Sequence, residues 1–340
     1  MSIRCTRTSG QWPASRLVHP VAVALLGTFV AATATAEWVG EQLDLMGTSV
    51  SVELWHENGE AGQILVARVL DEYRRVDDGM STYKEQSEIS AINGGADQGA
   101  VSVSDELFGL IERSLDLSAR SGGAFDITYD SVGYLYDFRA RRRPSEADIG
   151  ERLSAIDYTL VRLDRARGTI EFAGPGVRIN LGGIAKGYAV ERGAAILREA
   201  GVKNALLNAG GDTRVLGDRR GQPWIVGIRH PRVSEEVVTR IPVVDEAIST
   251  SGDYERFFEE DGRRYHHIIN PATGTPTEGI LSVTVIGPDA TMTDGLSTTL
   301  FVLGAEAGLE FMETLPEYEA IIVEATGELS FSSGLVSPEG

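Results

Sequence analysis

Between Ile179 and Ala189 an apolar stretch runs into the glycine pair Gly182-Gly183 and straight on into the best helical pattern of the chain, residues 183–200. Ala189, Gly193, Ile196, Leu197 and Ala200 fall on one face of that helix, and Gly201 ends it. The junction asks for a strand and a helix joined by a tight turn, so the fold has to mix the two kinds of element. Glycines also let backbone approach a ligand closely, and the free N–H groups at a helix start favour an anion. Lys186 stands in the first turn, in reach of a phosphate. The spacing is not that of a P-loop, and no G-x-G-x-x-G run occurs. On these residues alone an anion site and a plain strand-to-helix turn are both open.

The rest of the chain extends the mixture. Residues 46–54 alternate around Val50 and Val52 and read as a strand. Residues 62–76 form a helical pattern with Ile64, Val66, Val69, Leu70 and Tyr73 on its apolar face. Ser104-Asp105-Glu106 opens another helix, which stops near Gly122-Gly123. A strand pair is predicted around Gly174-Pro175-Gly176, and short buried strands at 205–207 and 224–228. Further strands are predicted at 281–286 and 320–323, with a helix over 293–303. Strands and helices alternate without a regular βαβ period, which predicts a mixed α/β (α+β) fold with largely antiparallel sheet. With 340 residues, 42% of them hydrophobic, the chain can bury one large core or two closely packed lobes.

The formal charge of -19 argues against a nucleic-acid partner, whose phosphates the average field would repel. Residues 1–36 read as an export signal. Arg4, Arg7 and Arg16 give a basic start, residues 21–32 are apolar, and Ala34-Thr35-Ala36 is a small-residue cleavage site. That apolar run is too short for a membrane span, which needs about 20 residues. The expected mature domain is therefore 37–340, in the periplasm. The only cysteine, Cys5, lies inside the signal. The mature chain then has no disulfide, no thiolate nucleophile and no thiolate metal site. The basic run Arg139-Ala140-Arg141-Arg142-Arg143-Pro144 reads as a solvated loop or as a docking patch for an acidic partner.

Two more groups of residues bear on chemistry. Asp294, Ser297 and Thr298 stand at i, i+3 and i+4, so their oxygens share a helix face. A carboxylate with hydroxyls suits a hard cation such as Mg²⁺, and equally suits the cap of a helix start. The run His266-His267-Ile268-Ile269-Asn270-Pro271-Ala272-Thr273-Gly274 offers a histidine beside a strand and a turn, either a general base or a structural pair.

Together and in order, these runs resemble one family, the FAD:protein FMN transferases, also called the ApbE family. The resemblance covers about residues 45–304. It includes Met46-Gly47-Thr48, Met80-Ser81-Thr82-Tyr83, Ser87-Glu88-Ile89-Ser90 with Asn93, and Gly122-Gly123-Ala124-Phe125-Asp126-Ile127-Thr128. It continues through the Gly182-Gly183 run, Asn208-Ala209-Gly210-Gly211-Asp212, Ser249-Thr250-Ser251-Gly252-Asp253-Tyr254, the His267 run and the Asp294 segment.

The resemblance implies a T-fold-like catalytic region with a flavin cleft between packed lobes. It implies a transferase that moves FMN from FAD to a Thr or Ser hydroxyl of a partner flavoprotein and releases AMP, a post-translational flavinylation. Flavin contacts then fall on Met46, Tyr83, Ala124, Phe125, Asp126, Asn180, Lys186 and Ile269. Mg²⁺ ligands fall on Gly183 (through its carbonyl), Asp294, Ser297 and Thr298, and His267 matches the base. The acceptor is a flavoprotein with an exposed Thr or Ser, such as a membrane redox-complex subunit, which would bring the enzyme to the inner membrane. Asn180 and Asn270 stand where the family usually has Asp. Gly295 replaces a common Ala, and Tyr134 and Tyr136 replace a usual Pro and Trp. Rival readings are a periplasmic FAD pyrophosphatase using the same site, and a non-catalytic flavin-binding protein.

Overall fold

The computed structural model describes residues 36–233 and 236–335, so the signal reading of 1–36 lies, but for Ala36, outside the described residues, as does Cys5. Eight strands form the main sheet: β1 (Glu37–Leu45), β2 (Thr48–His56), β3 (Ala205–Ala209), β4 (Asp212–Leu216), β5 (Ala247–Gly252), β6 (Ile280–Gly287), β7 (Glu319–Glu324) and β8 (Leu329–Phe331). They lie side by side in chain order, and every neighbouring pair is antiparallel. The expectation of mixed α/β structure with antiparallel sheet therefore holds. All described residues fall in one compact unit rather than two separable lobes.

Helices cover one face of this sheet: α1 (Gly59–Met80), α3 (Ala185–Glu199) and α4 (Ala290–Leu303), with α2 (Asp105–Arg120) packed beyond them. α1 lies on β1 and β2, α3 on β3 and β4, and α4 on β5 and β6, while α3 touches both of its neighbours. Alternation drives the burial. Val50, Val52 and Leu54 of β2 are buried beneath Val66, Val69, Leu70 and Tyr73 of α1. Gly193 lets α3 close on α1: a Cβ there would stand 2.8 Å from both Leu207 Cδ2 and Val69 Cγ1. A smaller core of Val215, Trp224, Val243, Ile248 and Ile286 is built around the ribbon of Trp224–Arg229 and Val237–Val243.

Two expectations differ from the structure, and one strand has no counterpart in the sequence reading. β1 was not predicted, because Glu37, Glu41 and Asp44 break its apolar pattern; it is an edge strand with much of its surface in solvent. The strand pair near residue 175 sits earlier, as Val161–Asp164 against Thr169–Phe172. Its turn is made by Gly168 in the left-handed region (φ 61°) and by Asp164 Oδ1 accepting from Arg167 N–H, so residues 174–176 are not the turn. The strand predicted at 224–228 is only half-buried, since Ile225 is exposed.

Candidate functional site

One cleft of about 390 Å³ opens where the loops above the sheet meet the start of α3 and the face of α4. Every predicted site residue except Ser297 lines it: Met46, Tyr83, Ala124, Phe125, Asp126, Asn180, Gly183, Lys186, His267, Ile269, Asp294 and Thr298. Met46 and Gly47 form the two-residue turn between Leu45 of β1 and Thr48 of β2, with positive φ of 55° and 73°. Tyr83 stands on the loop after α1 and is 76% exposed. Its hydroxyl accepts from Arg256 Nη1 at 3.0 Å.

The electrostatic centre is a triplet. Lys186 Nζ lies 2.8 Å from Asp212 Oδ2 and 3.5 Å from Asp294 Oδ1. Asp294 Oδ2 accepts the backbone N–H of Gly187, in the first turn of α3, at 2.9 Å. The carboxylate of α4 thus sits on the positive end of α3. It does not cap its own helix; Asp289 does that, accepting from Met292 N–H at 3.1 Å. Burial, and then the neighbouring Asp212 carboxylate, push the Asp294 acid up to about 7, against the pull of Lys186 and the Gly187 N–H. Burial works against a charged Lys186, but Asp212 and Asp294 outweigh it and hold its pKa above the ordinary lysine value.

Beside this triplet stand Gly183 and Thr298. A Cβ on Gly183 would lie 3.2 Å from Thr298 Oγ1, so the glycine lets the two segments meet. Ser251 Oγ on β5 is 2.8 Å from Ser297 Oγ and 3.3 Å from Thr298 Oγ1. The Ser297 hydroxyl donates to the Asp294 carbonyl at 2.9 Å and is fully buried, which sets it apart from the other predicted metal ligands.

The two histidines diverge. His266 is buried. Its Nε2 is 2.7 Å from the Thr277 carbonyl oxygen, its Nδ1 accepts from Ile268 N–H at 3.3 Å, and its ring meets Phe301 edge-on. His267 faces the cleft, and its Nδ1 is buried with no hydrogen-bond partner. Burial, and then the charges of Arg256, His266 and Lys186, pull its pKa down to about 3, so the ring is neutral at ordinary pH. Asp253, another acid near this run, is held by Arg232 at 2.7 Å and by Arg264 at 3.5 Å.

At the other end of the cleft the polar groups are largely engaged. Asp126 Oδ1 accepts from Thr128 N–H and Oγ1–H at 2.7 and 2.6 Å, and Oδ2 accepts from Tyr158 N–H at 2.9 Å. That carboxylate is therefore consumed in shaping the loop behind Phe125. Asn180 Oδ1 accepts from Gly182 N–H at 2.8 Å, and its Nδ2 donates to Asp130 Oδ1 at 3.2 Å and Thr82 Oγ1 at 3.3 Å. Asn270 Oδ1 accepts from Ala272 N–H at 2.9 Å, a turn bond that Asp would make as well. Ile269 is buried in the short ladder with Pro276.

Sequence reading missed Asp212, Asp130 and Arg256. Asp212 was visible only as the end of the Asn208–Asp212 run; that it faces Lys186 is a matter of tertiary packing.

The sequence model of the ApbE family matches residues 46–322. This chain belongs to the ApbE family. It is 32% identical over 293 residues, 85% of its length and 90% of the relative's, to an FAD:protein FMN transferase of Klebsiella pneumoniae (strain 342). It is 33% identical over 302 residues, 86% of its length and 90% of the relative's, to the FAD:protein FMN transferase of Vibrio cholerae serotype O1. The solved ApbE protein of Thermotoga maritima superimposes with a TM-score of 0.82 at 33% identity, covering 88% of this chain and 98% of that one. The flavin transferase ApbE of Vibrio cholerae gives 0.79 at 29% identity, with the same coverage. In this ApbE-family fold the cleft residues come from segments spread from β1 to α4, and the tertiary structure gathers them.

Proposed function

We propose that this chain is an FAD:protein FMN transferase. It attaches the FMN half of FAD to a Thr or Ser hydroxyl of a partner flavoprotein and releases AMP. The observation that carries this reading is the meeting of His267, Lys186 and Asp294 in one cleft, in a chain whose curated relatives bear that name.

The residues present support each part of the chemistry. A hydroxyl is a weak nucleophile, and neutral His267 can take its proton as attack proceeds. The hydroxyl oxygen bonds to the FMN-side phosphorus, the proton passes to the imidazole, and the phosphoanhydride P–O bond breaks with its electrons leaving on AMP. Lys186, in the first turn of α3, lines the cleft and supplies positive charge beside the helix's positive end, where negative charge is favoured.

The donor set fits a hard divalent cation such as Mg²⁺. Asp212 and Asp294 face one lysine, so acid is in excess, and the Thr298 hydroxyl beside Gly183 adds an oxygen donor. Asp294, Thr298 and the Gly183 carbonyl would hold the ion, and Ser297 would brace Asp294 rather than reach it. When bound, it would offset the charge of the diphosphate.

The test is incubation with FAD, Mg²⁺ and a candidate acceptor domain, read by mass spectrometry. Covalent FMN on a Thr or Ser supports the proposal. Free FMN and AMP without an adduct would make the protein an FAD pyrophosphatase, and bound, uncleaved FAD would make it a carrier.

Export to the periplasm, with an acceptor in a membrane redox complex, belongs to the same proposal and rests on the pattern of residues 1–36. N-terminal sequencing of the protein from cells should find cleavage next to Ala36; an intact N-terminus in the cytoplasm would refute it.

A further inference from the structure

Asp130, an acid in the cleft wall, has acceptor capacity left over. It is 4% exposed, yet it lines the cleft. An ionised carboxylate offers about four lone-pair positions. Here Oδ1 accepts from Asn180 Nδ2 at 3.2 Å and Oδ2 from Arg178 Nε at 3.3 Å, both long. By contrast, both oxygens of Asp126 are filled by short bonds from the protein itself. Burial raises the Asp130 pKa, and Arg178 and Asn180 only partly oppose it, so the group gains from a further donor.

The neighbours suit a flat ring. Tyr129, Tyr134 and Tyr136 line the same end of the cleft. The Arg178 guanidinium lies 4.6 Å from the Tyr134 ring centre, which fixes the arginine against that wall. Asn180 explains itself in this setting. Its amide oxygen is taken by Gly182, so its N–H₂ must point at Asp130. An Asp at position 180 would set two carboxylates about 3 Å apart, an arrangement in which both cannot remain charged cheaply.

We infer that Asp130 is a ligand-facing acid of this cleft, accepting an N–H from one of the two flat ring systems of FAD, with Asn180 and Arg178 as its positioning residues. The inference rests on the reading that the cleft binds FAD. Adenine and isoalloxazine both carry an N–H donor on a planar ring, and the test separates them.

FAD binding to the purified full-length protein is titrated by flavin fluorescence for the wild type, Asp130→Asn, Asn180→Asp, and the double exchange Asp130→Asn/Asn180→Asp. Each single change is expected to weaken FAD binding on the order of 10-fold or more, the scale of one hydrogen bond to a charged group. The exchange restores one acid and one amide, and should bring affinity back to within about 3-fold of the wild type. ADP and FMN are then titrated as competitors. The one whose affinity follows the variants carries the ring that meets Asp130. Thermal melts of each variant separate binding from folding. FAD affinity unchanged in folded Asp130→Asn, or a loss not recovered by the exchange, would overturn the inference. So would equal losses for ADP and FMN, which mark a general collapse of the wall. Failure of the wild type to bind FAD would instead sink the proposed function.

Discussion

The carboxylate of Asp294, on α4, accepts the backbone N–H of Gly187, in the first turn of α3, at 2.9 Å. This bond fixes the acid of one helix on the dipole of another, and it depends on the missing side chain at 187. A Cβ there would lie 2.1 Å from the Ala290 carbonyl oxygen and 2.7 Å from Asp294 Cβ. Both are atoms of a packed helix that cannot swing aside.

Gly187→Ala should therefore push α3 and α4 apart. Overpacking of this kind costs about 1–3 kcal/mol, and the shift of Asp294 should lower FMN transfer at least 10-fold, since misplacement by about 1 Å costs 100-fold in well-aligned sites. Denaturant melts and transfer assays check the two parts separately. Wild-type stability and rate together would show that the interface has slack.

Lys186→Met keeps much of the side-chain volume and removes the charge. Asp212 and Asp294 then face each other without their shared cation, and stability should fall by about 3 kcal/mol or more. Mg²⁺ held by Asp294, Thr298 and the Gly183 carbonyl should restore part of that loss by supplying positive charge beside the two acids. A melt that shifts equally with and without Mg²⁺ would place the ion elsewhere.

The acid–base behaviour of Asp294 gives a signed prediction. Its folded pKa of about 7 lies above the ordinary carboxylate value, so the folded chain binds more protons than the unfolded chain between about pH 4 and 7. Stability from this group is full below pH 4 and is lost as pH rises to 7. His267 acts in the opposite sense. Its folded pKa of about 3 lies below the free value of 6.5, so stability falls as pH drops from 6.5 to 3. The difference between wild type and Asp294→Asn isolates the first effect. Stabilisation by Mg²⁺ should also grow with pH up to about 7 and then level off, because the ion competes with the proton. Calorimetry at pH 5, 6, 7 and 8, with and without Mg²⁺, reads both; a flat Mg²⁺ effect over that range would contradict the assignment.

His267→Ala should slow transfer on the order of 100-fold or more, the usual effect of losing a positioned base, with little change in FAD affinity. Because the ring is already neutral well below pH 6.5, the wild-type rate should show no inflection near that pH from His267. His266→Ala should act differently: it removes the contacts to Thr277 and Phe301, so the melting temperature drops while the rate of folded protein changes less. Equal rate losses for the two variants would make the pair structural.

Much of this protein was legible in one dimension. Local patterns set the element types: alternation marked β2, the Ser104 cap and Gly122-Gly123 bracketed α2, and the glycine pair marked the entry to α3. Motif order indicated the family, because each run keeps its chemistry in its own few residues. Failures came where neighbours in sequence do not decide the outcome. β1 lacks an apolar pattern because an edge strand is held by backbone bonds to β2 rather than by burial. Asp294 resembled a cap of its own helix, and only the packing of α4 on α3 aimed it at Gly187. Asp212 and Lys186 are separated by 26 positions, and Asp130 and Asn180 by 50. Polar pairs of that kind arise when distant segments of the chain close on each other. A sequence shows which groups are available, but the energy of a buried charge depends on what lies within a few ångströms of it, and only the tertiary structure sets that distance.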